Sequence, residues 1–350
     1  MDVDPRPEWI DALLGEAGLP AAREVVGLSG GANNRVYRVD WGGGSALLKA
    51  YFFHPDDPRD RLGAEFDFSR FAWDCGLRCL PRPLACDRPR RLGLYEFVEG
   101  RVLGPGEPTE AHLEQAIAFY RELNRHKDAP AARALPLASE ACFTLREHLA
   151  CVERRVGRLE QLEGDSPEDE EAQQWIRGRL APAWRAIRDR VLQMAAKRGV
   201  ELDQAVVDRD RRLSPSDFGF HNAILAADGR LRFIDFEYAG WDDPAKMVCD
   251  FLCQPGVPVP AEWGDALARA AVADLSDPSG HLRRIDLLKD VYRIKWCCIM
   301  LNEFLPAGRQ RRRFAQEALA EAARKRNQLH KLADALRSVG DLARESIARR

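Results

Sequence analysis

Apolar residues recur along this chain with two different periods. From Glu8 to Ala17, Trp9, Ile10, Leu13 and Leu14 share one side of a short helix. Arg23 to Leu28, Arg35 to Asp40 and Ser45 to Tyr51 alternate as strands, with Gly42-Gly43-Gly44 as the turn between the last two. A helix beginning near Asp60 carries Phe68, Phe71 and Ala72 on its apolar face, and Arg82 to Asp87 and Leu92 to Val98 read as two more strands. Beyond Val98 helical spacing takes over: Glu110 to Asn124, most of Phe143 to Arg198, Ala245 to Cys253, Ala261 to Leu275, His281 to Leu305 and a long segment from Arg309. One hairpin interrupts it, Ala223 to Leu225 and Arg230 to Ile234 around Asp228-Gly229, a dipeptide suited to a tight turn. The pattern predicts an α+β fold, strand-rich up to Val98 and mainly helical beyond it.

Composition narrows the class without naming a partner. Hydrophobic residues make up 45% and charged residues 31%, and the net charge of −2 favours neither nucleic acid nor an acidic surface. Nine cysteines are scattered with no Cys-x2-Cys unit, which reads as reduced, mostly buried thiols in a cytoplasmic protein. The start, MDVDPRPEW, is acidic and Pro-broken, unlike a secretory signal. No apolar run approaches the ~18 residues of a membrane span. Two charged stretches stand out. Gly164 to Glu171 is acidic, and it reads as a solvated helix start with Ser166 as cap and Pro167 in the first turn; the competing role is attraction of a polycation. The segment from Arg309 is basic, and it reads as a helix packed with one solvated face rather than an RNA- or membrane-binding element.

Candidate chemistry lies at a few positions. Gly30 and Gly31, with Asn33 close behind, form a glycine turn between strands, where backbone N–H groups can approach a phosphate. Lys49 sits amid apolar residues of the third strand, a costly place for an ammonium without anionic partners. Glu65, on the next helix, is the expected partner, with Asp67 as its competitor. Farther on, Asp217 and Asn222 stand five apart, and the hairpin delivers Asp235 and Glu237. In an Asp-x4-Asn loop the Asp can orient an acceptor hydroxyl and take its proton, while the Asn binds a metal. An Asp ending a buried strand can then hold Mg²⁺ between nucleotide phosphates.

Glycine turn, strand Lys, helical Glu, Asp-x4-Asn loop and strand-end Asp occur in an order that resembles the aminoglycoside phosphotransferase and choline kinase family, small-molecule relatives of the protein kinases. The resemblance runs from about Glu24 to the helix ending near Phe304. It implies a protein-kinase-like two-lobe fold, with a small antiparallel-sheet lobe over residues 1–98 and a mainly helical lobe over 99–350, Mg²⁺ as cofactor and ATP or GTP as co-substrate. It also implies transfer of the γ-phosphate to a hydroxyl of a small molecule: a sugar, amino sugar, aminoglycoside or amino alcohol. By resemblance, Asp217 is the base, Asn222, Asp235 and Glu237 the metal group, and the backbone of Glu96 and Val98 the adenine hinge. His221, Asp242, Tyr292, Trp296 and Glu303 are the expected acceptor-pocket residues, and Asp250 is expected to brace the catalytic loop. The family has His-Gly before the catalytic Asp, and this chain has Pro215-Ser216. A protein substrate is not expected, because no long activation segment ending in Ala-Pro-Glu follows Asp235. The rival classes are a non-catalytic nucleotide-binding scaffold and an RNA- or membrane-associated protein acting through the basic C-terminal helix.

Overall fold

The computed structural model describes residues 4–28, 33–55, 57, 59–315 and 320–348. The expected phosphate turn at Gly30 and Gly31 lies outside the described residues. Two compact units are present, interleaved along the chain: one contains the residues up to Ser139, Leu213–Trp241 and the stretch from Gln310; the other contains Glu140–Arg212, Asp242–Arg309 and the C-terminal helix. The boundary expected from the sequence, after Val98, falls within the first of these units.

The first unit is built on a five-stranded antiparallel sheet of order β1-β2-β3-β5-β4. Its strands are β1 (Glu24–Leu28), β2 (Arg35–Trp41), β3 (Gly44–Ala50), β4 (Pro83–Asp87) and β5 (Leu92–Glu96). Helix α1 (Pro7–Glu16) buries Ile10, Leu13 and Leu14 against Val39, Ala46, Leu48 and Leu94 of one sheet face. Helix α2 (Arg61–Asp74), capped by the Asp60 carboxylate on the Gly63 N–H, covers the other face, where Leu62 and Phe66 meet Tyr51, Tyr95 and Leu47. Because side chains alternate across a strand, Leu47, Lys49 and Tyr51 all turn toward α2. The unit continues with β6 (Gly100–Val102), α3 (Glu110–Arg125) and the single turn α4 (Pro130–Arg133).

Strands β7 (Arg212–Ser214) and β10 (Gly240–Asp242) pair with each other, and the expected hairpin, β8 (Ala223–Ala226) and β9 (Leu231–Phe233), joins β6 in a three-stranded sheet. An aromatic cluster fixes this hairpin. The Phe119 ring of α3 stacks on Phe233 at 5.0 Å and meets Phe218 at 5.6 Å and Phe236 at 6.0 Å. Those three phenylalanines flank Asp217 and Asp235 in sequence.

The second unit is helical: α5 (Leu145–Glu160), α6 (Pro167–Trp175), α7 (Ala181–Lys197), α8 (Pro244–Cys253), α9 (Trp263–Val272), the central α10 (Pro278–Met300) and α12 (Glu321–Ala348). The α+β expectation holds: a small antiparallel sheet, and helices over most of the remainder. The basic C-terminal segment is helical over α11 (Pro306–Ala315) and α12 (Glu321–Ala348).

Both charged stretches are answered within the second unit. Ser166 caps α6 with Pro167 following, as expected. Asp169 pairs with Lys325 at 2.8 Å, Glu168 with Arg326 at 2.6 Å, and Glu303 with Arg324 at 2.9 Å. Among the described residues, no helix is long and apolar enough to cross a membrane.

Phe119 is 2% exposed. Replacing it with Ala should cost ~3–5 kcal/mol, the usual range for emptying a buried aromatic site. Urea denaturation checks this, and a loss below ~1 kcal/mol would show that the cluster does not hold the hairpin.

Candidate active site

Alternation in β3 sends Lys49 into the covered face of the sheet, where its ammonium meets three carboxylate oxygens. Nζ lies 2.9 Å from Glu65 Oε1, 2.7 Å from Glu65 Oε2 and 2.7 Å from Asp235 Oδ1. Lys49 and Glu65 are buried, while the Asp235 side chain keeps 30% of its surface. Burial alone would push the lysine pKa down; Asp235 and Glu65 outweigh it and hold the ammonium protonated, above its ordinary value. The Asp235 carboxyl is raised, first by burial and then by the negative charges of Glu65 and Asp217, against the pull of Lys49. The competitor Asp67 faces outward and pairs with Arg88 at 2.8 Å, which gives Glu65 the lysine.

Two tyrosines extend the cluster. The Tyr51 hydroxyl donates to Glu65 Oε2 at 2.7 Å and lies 2.8 Å from the Tyr95 hydroxyl. Neither tyrosine was singled out in the sequence, because both read as apolar strand positions.

The loop after β7 is set from several sides. Asn124 of α3 accepts from the Leu213 N–H and donates to the Leu213 carbonyl, at 2.9 and 3.0 Å. Ser216, next to Asp217, has φ 68°, and Asp235 itself has φ 67°. Left-handed backbone at non-glycine residues is costly and concentrates at functional sites. The Asn222 amide donates to the Asp217 carbonyl at 2.8 Å, and the Asn222 carbonyl accepts from the Ile234 N–H at 2.9 Å, so the loop is tied to the strand that carries Asp235. His221 Nε2 lies 3.0 Å from Asp217 Oδ1.

These residues fit a divalent cation in one respect. Among the described residues, none hydrogen-bonds Asn222 Oδ1 or Asp235 Oδ2, and both are hard oxygen donors of the kind Mg²⁺ takes alongside phosphate oxygens. Among the described residues, no group of three His, Cys, Asp or Glu gathers as a metal site would require.

Glu237 is held differently from the metal group in which the sequence placed it. Asn33 Nδ2 donates to Oε1 at 2.5 Å, and Asn34 Nδ2 donates to Oε2 at 2.7 Å. Asn34 also accepts from the Phe52 N–H, and the Arg61 guanidinium stands 3.7 Å from Glu237. The two asparagines that follow the glycine turn are thus fastened to the segment just past Asp235. Asn34 and Arg61, missed in the sequence, carry no motif and become visible only through this contact.

At the expected hinge, the Glu96 N–H donates to the Arg82 carbonyl at 2.8 Å, its carboxylate accepts from the Arg82 N–H, and Val98 is half-buried. The late acceptor candidates fall in the second unit and are committed to internal partners. Tyr292 hydrogen-bonds His148, Trp296 donates to Asp250, Glu303 pairs with Arg324, and Asp242 pairs with Lys246. All four are buried, because a helical bundle satisfies such polar tips internally. Asp250 also takes Lys295 at 2.9 Å.

Comparison with known proteins places this geometry. Residues 24–288 match the phosphotransferase enzyme family, most of the chain. No curated protein sequence matches. Among solved structures, the AMP-bound spectinomycin phosphotransferase shares the fold with a TM-score of 0.61 at 12% identity, over 93% of this chain and 97% of that one. A choline/ethanolamine kinase family protein from Mesorhizobium loti matches with a TM-score of 0.54 at 16% identity, over 93% of each chain. A choline kinase from Streptococcus pneumoniae matches with a TM-score of 0.54 at 16% identity, over 91% of this chain and 94% of that one. At these identities the likeness is one of fold, and it agrees with the kinase-like fold that the motifs imply. With the family matched from the first sheet strand to the middle of α10, and Lys49, Glu65 and Asp235 converging within it, this chain belongs to the phosphotransferase enzyme family.

Proposed function

We propose that the protein moves the γ-phosphate of ATP or GTP to a hydroxyl of a small molecule, with residues 1–98 forming the nucleotide lobe and 99–350 the catalytic and acceptor lobe. The observation that carries this reading is the junction of Lys49, Glu65 and Asp235, with the Asp217 loop tied through Asn222 to the strand that carries Asp235. Lys49 supplies a fixed positive charge for the phosphates. Asn222 and Asp235 would hold Mg²⁺, which would neutralise charge on the phosphoryl oxygens. Asp217 orients the acceptor hydroxyl and takes its proton, and His221 fixes the direction of one Asp217 oxygen. Positioning and charge account for the catalysis, so no covalent enzyme intermediate is required.

The acceptor class follows less directly. A sugar or related metabolite is favoured over a polycationic aminoglycoside. The acidic stretch that could draw a polycation already meets Lys325 and Arg326 of the C-terminal helix. Those pairs also weaken the RNA- and membrane-binding alternative, because they occupy part of the same basic face. The assigned compartment is the cytoplasm, where the nucleotide is available and the nine thiols stay reduced.

The decisive experiment incubates the protein with Mg²⁺ and γ-labelled ATP or GTP across sugars, amino sugars, amino alcohols and aminoglycosides. Label should pass to a hydroxyl compound; a protein that binds nucleotide yet labels none of these classes would instead be a scaffold. Asp217→Asn should lower turnover by ~10²–10⁴ while leaving nucleotide affinity near wild type. Asp235→Asn should lower turnover at least as far and raise the Mg²⁺ concentration needed for half-maximal rate. Wild-type rates in both variants would remove the catalytic assignment.

Glu237 is assigned as the anchor of the asparagine turn rather than as a metal ligand, since both of its oxygens are taken. Glu237→Gln should weaken nucleotide affinity several-fold and leave the Mg²⁺ titration unchanged, because one amide then faces another donor. A shifted Mg²⁺ requirement would return Glu237 to the metal group.

A further inference from the structure

We infer that Tyr51 and Tyr95 are positioning residues for Lys49: their linked hydroxyls hold Glu65 in place when the ammonium turns a proton toward the nucleotide phosphates. The inference rests on the proposed phosphotransferase reading, in which Lys49 meets those phosphates.

A lysine ammonium has three protons to donate. Here all three are directed at carboxylate oxygens, two on Glu65 and one on Asp235. Lys49 can reach a phosphate only by releasing one of them. Glu65 is 4% exposed, so water cannot readily replace a lost donor, and a buried carboxylate short of a hydrogen bond is unstable. Tyr51 supplies the missing donor on the same oxygen, Oε2, at 2.7 Å.

Hydrogen-bond direction follows from the chemistry. Ionised Glu65 can only accept, so Tyr51 donates to it. The Tyr51 oxygen is then the acceptor, and Tyr95 donates across the 2.8 Å contact. The proton order is Tyr95 to Tyr51 to Glu65, a chain in which each bond polarises the next. Burial, followed by the negative charge of Glu65, holds both phenols well above their ordinary values, so neither hydroxyl loses its proton in the working pH range.

The sheet builds this chain deliberately into one face. Leu47 pairs with Tyr95 and Lys49 with Gly93 across β3 and β5. Lys49, Tyr51, Gly93 and Tyr95 therefore share the face under α2. Gly93 leaves the room: a Cβ there would stand 2.8 Å from Tyr95 Cε2 and 3.0 Å from its hydroxyl. Tyr95 also precedes Glu96, the first expected hinge residue, so the chain connects the adenine end of the site to its phosphate end through four buried side chains.

The test compares wild type with Tyr51→Phe, which keeps the ring and removes only the hydroxyl. Affinities for MgATP, MgADP and adenosine are measured by competition against a fluorescent nucleotide, together with the melting temperature. A positioning role predicts a loss of roughly three- to tenfold for MgATP and MgADP, unchanged adenosine affinity, and less than about a twofold further loss when Tyr51→Phe is added to Glu65→Gln. A structural role predicts a lowered melting temperature with equal losses for all three ligands, and this result, or unchanged MgATP affinity, overturns the inference. Should Tyr51→Phe fail to fold, Tyr95→Phe decides by the same comparison with a smaller loss expected. A wild-type protein that binds no MgATP would end both this inference and the proposed function; binding unchanged by either tyrosine substitution would end only the inference.

Discussion

A single buried amine governs the first unit. The Lys49 ammonium cannot be left dry and unpaired, because taking its charge out of water costs several kcal/mol unless anions surround it. Three different pieces of chain meet that demand: β3 carries the amine, α2 brings Glu65, and the turn after β9 brings Asp235. Each is held for this purpose by something else. Helix α2 starts at the Asp60 cap, the hairpin is pinned by Phe119 against Phe218, Phe233 and Phe236, and Asp235 sits in a left-handed conformation that aims its carboxylate back at the lysine. Removing one partner of such a group leaves an uncompensated charge, so the three elements constrain one another's positions more tightly than apolar packing would.

Charge neutralisation within the chain also explains why the formal balance pointed nowhere. The acidic run and the basic C-terminal segment look in sequence like two docking signals of opposite sign. In the fold they answer each other, Asp169 and Glu168 with Lys325 and Arg326, while Arg324 takes Glu303. Asp169, Lys325, Glu303 and Arg324 are buried, which places two of the three pairs inside the packing of the helical unit, while the exposed Arg326 keeps the third at the surface. They set how α12 meets α6 and the turn after α10, a matter of register more than of net stability.

Much of this was legible in the residues, and the limits have physical causes. Sheet strands, hairpin and most helices followed from period-two and period-3.6 spacing, which burial imposes directly. The choice between Glu65 and Asp67 could have been made the same way: Glu65, Phe68, Ser69 and Ala72 form one buried stripe of α2, and Asp67 lies off it. The tyrosines were not legible, because a strand pattern records only that a position is covered, not that its hydroxyl has found a carboxylate. Glu237 was read with Asp235 because it is near in sequence, but its carboxylate is claimed through space by Asn33 and Asn34, about two hundred residues away. Tyr292, Trp296 and Glu303 have the amphipathic character of pocket residues and of bundle-core residues alike, so composition could not separate the two uses.

The charges around Lys49 have a further consequence. Glu65 and Asp235 act on each other and on one lysine, and Asp217 acts on Asp235, so the cluster carries more negative than positive charge. Burial first, and that negative charge second, raise the Asp235 carboxyl, and a polyanionic phosphate chain entering alone would meet the same repulsion. A divalent cation on Asn222 and Asp235 would reverse the sign of the site at the point of entry and weaken the hold of Asp235 on Lys49, freeing one of its protons for phosphate. On the proposed reading, the acids therefore do more than bind a metal. Their mutual repulsion makes nucleotide affinity conditional on the cation, while the buried Glu65, kept satisfied by Tyr51, ensures that the lysine moves toward phosphate and not out of the sheet.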